Sequence, residues 1–315
     1  MTAGPAATMT GRAKEPLGER IIAAIARFTL RATLLRVFRQ GRPIAQQRRQ
    51  LELITRLLPP PRSVKFEAGE CGGVAGEFVR AVGQATPNAV LYLHGGAYCV
   101  GSPATHRTIS GTLARDTGAS VFVADYRLAP EHPFPAALDD AVAAYRGLVQ
   151  AGFGAHSVAI AGDSAGGGLA LATALRLREL GEPLPAALAV FSPWVDLGTP
   201  DRGPVPRGEV MISPPWVAEC AAYYLAGRDA TEPLASPVHA DLAGLPPVLV
   251  QVGTDEVLLA DSRRLRSALE AARVPCELQE YPRRWHVFQA NAGVLADADR
   301  ALADVGRFLR GCWAA

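Results

Sequence analysis

The chain has 315 residues, 49% hydrophobic and 20% charged, with a formal net charge of +2. That composition is globular and long enough for one large core or two domains. The overall charge gives no argument for nucleic acid or anionic lipid as a partner. Five cysteines stand scattered at Cys71, Cys99, Cys220, Cys276 and Cys312. An odd count without paired spacing argues against a disulfide framework or a zinc site, and a reducing cytoplasm is the simplest setting.

Residues Met1 to Gly18 are small and polar, with no apolar core of a signal peptide, and are expected to be partly disordered. Glu19 to Arg39 has helical periodicity. Ile21, Ile22, Ile25, Phe28, Leu35 and Phe38 fall on one stripe and Arg20, Arg27, Arg31 and Arg36 largely elsewhere. A basic amphipathic helix of this kind can lie on a membrane. The expectation here is a helix packed on its own protein through that stripe. Ile44 to Leu58 reads as a second helix, stopped by Pro59, Pro60 and Pro61. No apolar run approaches a membrane span, so no stable membrane insertion is expected.

The period then changes. Val64–Glu67 and Gly76–Val82 read as two antiparallel strands, and Ala89–Leu93 as a buried strand running into His94-Gly95-Gly96-Ala97. A helix over Thr105–Thr117, a strand over Ala119–Ala124 and a helix over Pro135–Gln150 follow. Val158 to Gly162 is an apolar strand that ends in Asp163-Ser164-Ala165-Gly166, and a helix-like run begins at once. Ala187–Phe191, Pro247–Val252 and Cys276–Tyr281 are further strands, and Ser262–Arg273 and Asp297–Arg310 are amphipathic helices. Strands alternating with helices imply an α/β chain with a mainly parallel sheet covered on both faces. Its site belongs at the carboxyl ends of the strands. Residues 198–242 are rich in proline and glycine, helical only around Pro215–Leu225. They read as an insertion which, with residues 1–58, forms a cap on a main domain spanning 59–315.

A strand, one serine between small residues and an immediate helix make a nucleophile elbow centred on Ser164. Acyl transfer through a serine needs a base, an acid and donors for an oxyanion. His286, after the last strand, is the expected base; His106, His132, His156 and His239 lack a strand-end context. The acid belongs between serine and base in chain order. Asp255, first after the turn that follows Val252, is preferred there, with Glu256 and Asp261 as rivals. The backbone N–H groups of Gly95, Gly96 and Ala165 are the expected oxyanion donors, and His94 is expected to shape their loop. No metal or organic cofactor is implied.

These residues resemble those of the bacterial hormone-sensitive-lipase-like esterases, a branch of the α/β-hydrolases with a Gly-Asp-Ser-Ala-Gly elbow. The resemblance runs from about Val64 to Leu309. It rests on His94-Gly95-Gly96, on Asp125 to Glu131, on Gly162 to Gly167, on Ser192-Pro193-Trp194 and on His286-Val287-Phe288. It implies an α/β-hydrolase fold with a helical cap and a serine carboxylesterase for small esters of short to medium acyl chains, often a homodimer. It also leaves open acetyl or lactone hydrolysis by the same triad. A non-catalytic receptor on this fold would lack the base. Asp163, Tyr98, Cys99 and Trp216 are expected around the substrate pocket, and Asp125 and Tyr126 beneath the site. Two departures stand out: Ala97 replaces a third loop glycine, and Arg283 and Arg284 precede Trp285-His286. Those arginines are expected to face solvent or bind carboxylates.

Overall fold

A computed structural model describes residues 8–9, 15–56, 61–84, 86–198 and 202–314. Most of the expectation for residues 1–18, the end of the second helix at Leu58 and part of the 198–242 segment lie outside them. The strands are β1 (Thr8–Met9), β2 (Val64–Cys71), β3 (Val74–Ala81), β4 (Ala89–Leu93), β5 (Ser120–Ala124), β6 (Val158–Asp163), β7 (Leu188–Phe191), β8 (Val248–Gly253) and β9 (Cys276–Tyr281). The helices are α1 (Leu17–Val37), α2 (Ile44–Thr55), α3 (Arg107–Thr117), α4 (Ala136–Gln150), α5 (Ala165–Glu179), α6 (Pro214–Leu225), α7 (Leu259–Ala271) and α8 (Ala296–Trp313). The described strands form one sheet in the order β1-β9-β8-β7-β6-β4-β5-β3-β2. All neighbours from β1 to β5 run parallel, and β3 and β2 are antiparallel. The edge strand β1 carries no readable pattern over its two residues.

β4 to β8 are buried along their whole length. Alternate side chains enter cores on opposite faces, as buried parallel strands require. Leu91 and Leu93 join one core while Val90 and Tyr92 join the other. α5 lies almost wholly in the interior, which is why its sequence shows no polar face.

The order reverses at β4. The chain leaves it toward β5, then returns to lay β6 on its other side. Such a switch opens a crevice at the carboxyl ends of the strands. Leu93 stands opposite Gly162, and Asp163 opposite Phe191. The His94-Gly95 loop, Ser164 and Ser192 therefore emerge side by side, with the loops after β8 and β9 next along the edge.

Helices α1, α2 and α6 meet above this edge. The Trp216 indole N–H donates to Gln47 Oε1 at 2.9 Å, and the Phe38 ring stacks on Trp216 at 4.8 Å. α1 does not pack as its stripe suggested. It faces the protein with Ala23, Leu34 and Val37, whereas Ile21, Ile22, Ile25 and Phe28 face solvent. The small Ala23 lets the helix approach closely. The flanking Arg27 and Arg31 hold it by reaching Asp255 and the Glu209 carbonyl oxygen. No helix among the described residues is long and apolar enough to cross a membrane.

Candidate active site

Ser164 sits between β6 and α5 at φ +54, ψ −120, a strained conformation for a residue with a Cβ. The neighbours fix it. Its N–H donates to Phe191 O at 2.8 Å, and its carbonyl accepts from Gly167, Gly168 and Trp194 N–H at 3.0, 3.2 and 2.9 Å. The motif glycines are a matter of space: a Cβ on Gly166 would overlap the Leu93 carbonyl oxygen. Ala165 opens α5, so its N–H lacks an intrahelical acceptor and points from the positive end of the helix.

His286 is buried and borders the same pocket as Ser164. Its Nδ1 lies 3.1 Å from Glu256 Oε1. The Glu256 carboxylate is wholly enclosed. Its Oε2 accepts from Ser192 Oγ at 2.7 Å and from the Gly253 N–H at 2.9 Å. Ser192 Oγ also accepts from the Val287 N–H at 3.3 Å. One hydroxyl thus ties the carboxylate to the residue after the histidine. Val287 at φ +50 and Ser192 at φ +46 share the backbone strain of Ser164. Burial alone would lower the pKa of His286; the hydrogen bond and charge of Glu256, with Glu209 and Asp163 more distant, hold it above the ordinary histidine value.

This geometry corrects the preference for Asp255. Its carboxylate turns outward, pairs with Arg27 at 3.0 Å and stays 30% exposed. The backbone decides the matter. Asp255 N–H donates to Arg284 O at 2.9 Å, and the chain turns there, so of two adjacent carboxylates one points out and the next points in. Asp261, the other rival, is buried against Arg202 and Arg264, away from His286.

The glycine loop needs a second correction. Gly95 N–H is not free for an oxyanion, because it donates to Asp163 Oδ1 at 3.1 Å. A Cβ on Gly95 would overlap that carboxylate, so glycine is required for contact with Asp163. Gly96 and Ala97 border the pocket, and neither N–H meets an acceptor among the described residues. Ala97 lies at φ +53.

Asp163 also accepts from the Tyr92 hydroxyl at 2.6 Å and lies 3.5 Å from His106 Nε2. Burial pushes its pKa up, but the charge of His106 and the hydrogen bonds from His106 and Tyr92 hold it below the usual carboxylate range. His106 is buried too, which lowers its pKa, yet the charge and hydrogen bond of Asp163 raise it more. His94 is different: burial and the charge of His106 take it down to about 3, so it stays neutral. Its Nδ1 lies 2.8 Å from the Gly95 carbonyl, and Tyr126 stacks on it while donating to its carbonyl oxygen at 2.6 Å.

Of the four expected pocket residues, Asp163 and Trp216 border the pocket. Tyr98 and Cys99 do not. Tyr98 is stacked on Tyr224 at 3.7 Å inside the core, and Cys99 is buried with its thiol 3.8 Å from Cys220 O. Both follow Ala97, where the loop bends away from the pocket. Leu30, Leu34, Phe38, Leu51 and Ile212 complete much of its apolar wall. The sequence offers no local sign of the roles of His106, which it excludes as the base, of Ser192 or of Glu209. Glu209 is buried; its Oε1 accepts from the N–H groups of Val210, Met211 and Ile212 and its Oε2 from Val257. It pins the segment before α6 to the residue after Glu256. Nothing local in the sequence announces these long-range partners, although Ser192 opens a shared Ser-Pro-Trp motif.

Residues 90–290 match the family described as alpha/beta hydrolase fold. An acetyl-hydrolase of Streptomyces hygroscopicus is 44% identical over 273 residues, covering 86% of this chain and 89% of that protein. An esterase of Acinetobacter venetianus is 36% identical, covering 82% and 86%. The crystal structure of an esterase from the bacterial hormone-sensitive lipase family superposes with a TM-score of 0.85 at 38% identity, covering 95% of this chain and 99% of that one. With its parallel sheet, elbow serine and strand-end histidine, the chain belongs to the α/β-hydrolase family, in its hormone-sensitive-lipase-like branch.

Proposed function

We propose that the protein is a serine carboxylesterase in which Ser164 is the nucleophile, His286 the base and Glu256 the orienting acid. The observation that carries this reading is that His286, paired with the enclosed Glu256, borders one pocket with a strained serine. His286 takes the Ser164 proton as the hydroxyl attacks the ester carbonyl. Glu256 holds the imidazole and stabilises its charged form. The oxyanion is received by the N–H groups of Gly96, Ala97 and Ala165. His286 returns the proton to the departing alcohol, then activates water to release the acid from the acyl-enzyme. Asp163 and His106 act behind this hole, fixing the Gly95 backbone so that the next two N–H groups face the pocket. The chemistry uses side chains and backbone alone.

Helices α1 and α2 and the segment carrying α6 serve as a cap. Their leucines, Phe38 and Trp216 give the pocket an apolar wall, suited to an uncharged acyl chain of short to medium length. Acetyl transfer to water is a second reading, favoured by the name of the Streptomyces relative; a series of acyl lengths with lactones included separates the two. Ser164→Ala should lower turnover of a p-nitrophenyl short-chain ester by about 10⁴-fold or more. Near-wild-type turnover by the folded variant would end this reading.

A further inference from the structure

Helix α1 has two apolar faces. One carries Ala23, Leu34 and Val37 into the protein. The other carries Leu17, Ile21, Ile25 and Phe28, which are 70%, 51%, 62% and 75% exposed. At about 100° per residue these four share one side of the helix, opposite the packed side, along about 17 Å. Single exposed apolar residues are ordinary; four large ones in register on one helix are not.

The charge around them is as uneven. Residues 17–56 hold nine arginines and two glutamates, although the whole chain is only +2. Arg20, Arg36, Arg39, Arg49 and Arg56 are exposed and form no ion pair among the described residues. Arg20 lies at one border of the outward stripe and Arg36 at the other. An apolar stripe with arginine borders is the pattern of a helix lying in the plane of a lipid interface, its side chains in the acyl boundary and its cations against anionic headgroups. A second copy is a poorer occupant. A two-fold contact through this face would set the same arginine-rich surface against itself.

We propose that the outward face of α1 docks the protein on anionic membrane surfaces. The same helix borders the pocket with Leu30 and Leu34, so docking places the cap and the pocket wall at the lipid boundary, where apolar esters concentrate.

Co-sedimentation of the full chain with vesicles tests this. It should bind phosphatidylcholine vesicles containing phosphatidylglycerol, bind those of phosphatidylcholine alone far less, and be released by high salt. Ile25→Asp combined with Phe28→Asp should weaken binding at least about tenfold, with hydrolysis of a soluble ester kept within about twofold. Arg20→Glu with Arg36→Glu should weaken binding to the anionic vesicles in a chain whose apolar stripe is intact. No binding to anionic vesicles, or binding that both pairs of substitutions leave unchanged, overturns the proposal. So does a solution dimer that Ile25→Asp with Phe28→Asp converts to monomer, since a second copy would then cover the face.

Discussion

Strand β6 and helix α1 both border the pocket, and they relate to their sequences in opposite ways. β6 is apolar because it is buried on both faces, and its end is set by the close passage of two backbones at Gly162 and Gly166. α1 is apolar on two sides, and the side carrying Ile21, Ile25 and Phe28 is the one left in solvent. In the sheet, pattern and burial coincide because every neighbour belongs to the same core. Above the sheet edge, helix α1 is held as much by Arg27 and Arg31 reaching across as by its apolar contacts. The candidate site's geometry resides in the first region; the second leaves an apolar face in solvent.

The largest effect that sharpens this contrast, after loss of the nucleophile itself, concerns the enclosed acid. Glu256→Gln should lower kcat on the order of 10³-fold, because the imidazole loses both its orientation and the charge that stabilises its protonated form. The pH profile should move as well. With neutral His286 as the proposed base, kcat/KM should rise with pH through its pKa, which lies above the ordinary 6.5 because of Glu256. With the carboxylate gone, burial dominates and the inflection should fall. The sign for stability is the reverse of that for activity: a raised pKa contributes stability that is full below the unfolded value and is lost as pH rises through the folded one. The wild-type protein thus gains activity over the pH range in which it gives up this contribution. An unmoved inflection in the variant would separate Glu256 from His286.

The contrast also explains what could be read from the residues alone. Ser164 and His286 stand out in the sequence because a strand end, a turn and chain order mark them, and the structure places both on one pocket. The Gly95-Gly96 loop was legible as a site, but not which N–H faces the pocket; that depends on Asp163, 68 residues away, taking the Gly95 N–H. Asp255 and Glu256 are neighbours with like chemistry. Which one turns inward depends on a backbone bond to Arg284 and on Arg27 from α1, neither of which has a local signature. His106 has no strand-end signature because it ends a short 3-10 turn, yet the turn delivers it to Asp163.

A middle-sized effect tests how firmly the cap is joined to the base loop. Arg284, two residues before His286, is buried and pairs with Glu15 just before α1, with Glu19 in its first turn and with Asp297 on α8 at 2.6 Å. Arg284→Met removes a buried cation that these carboxylates share; because Glu15 and Asp297 keep other arginines, the cost should fall below the roughly 3–5 kcal/mol of a fully orphaned buried charge. A fall in Tm of a few degrees is expected: Glu15 keeps Arg283 and Asp297 keeps Arg300, but both lose the enclosed cation between them. Combining it with Glu15→Gln should recover part of the loss. A variant as stable as the wild type would show that α1 is held without this cluster.

The smallest effect is the most discriminating. Asp255→Asn removes a charge one residue from Glu256, and from sequence that charge was the preferred acid. Its carboxylate is 30% exposed and bonded to Arg27 rather than to His286. A pair this open to solvent contributes about 1 kcal/mol or less. The Asp255 N–H to Arg284 O bond, which sets the turn, does not involve the side chain. kcat for a small soluble ester should therefore stay within about threefold of wild type, and the pH inflection should not move. The remaining loss should follow α1: Arg27→Ala should cost at least as much as Asp255→Asn, since it also gives up the Arg283 carbonyl and the Trp285 ring, and the double variant should lose little more than Arg27→Ala alone. If Asp255→Asn lowered kcat as far as Glu256→Gln, the inward carboxylate would not be the acid, and the two residues would have to exchange places in the working enzyme.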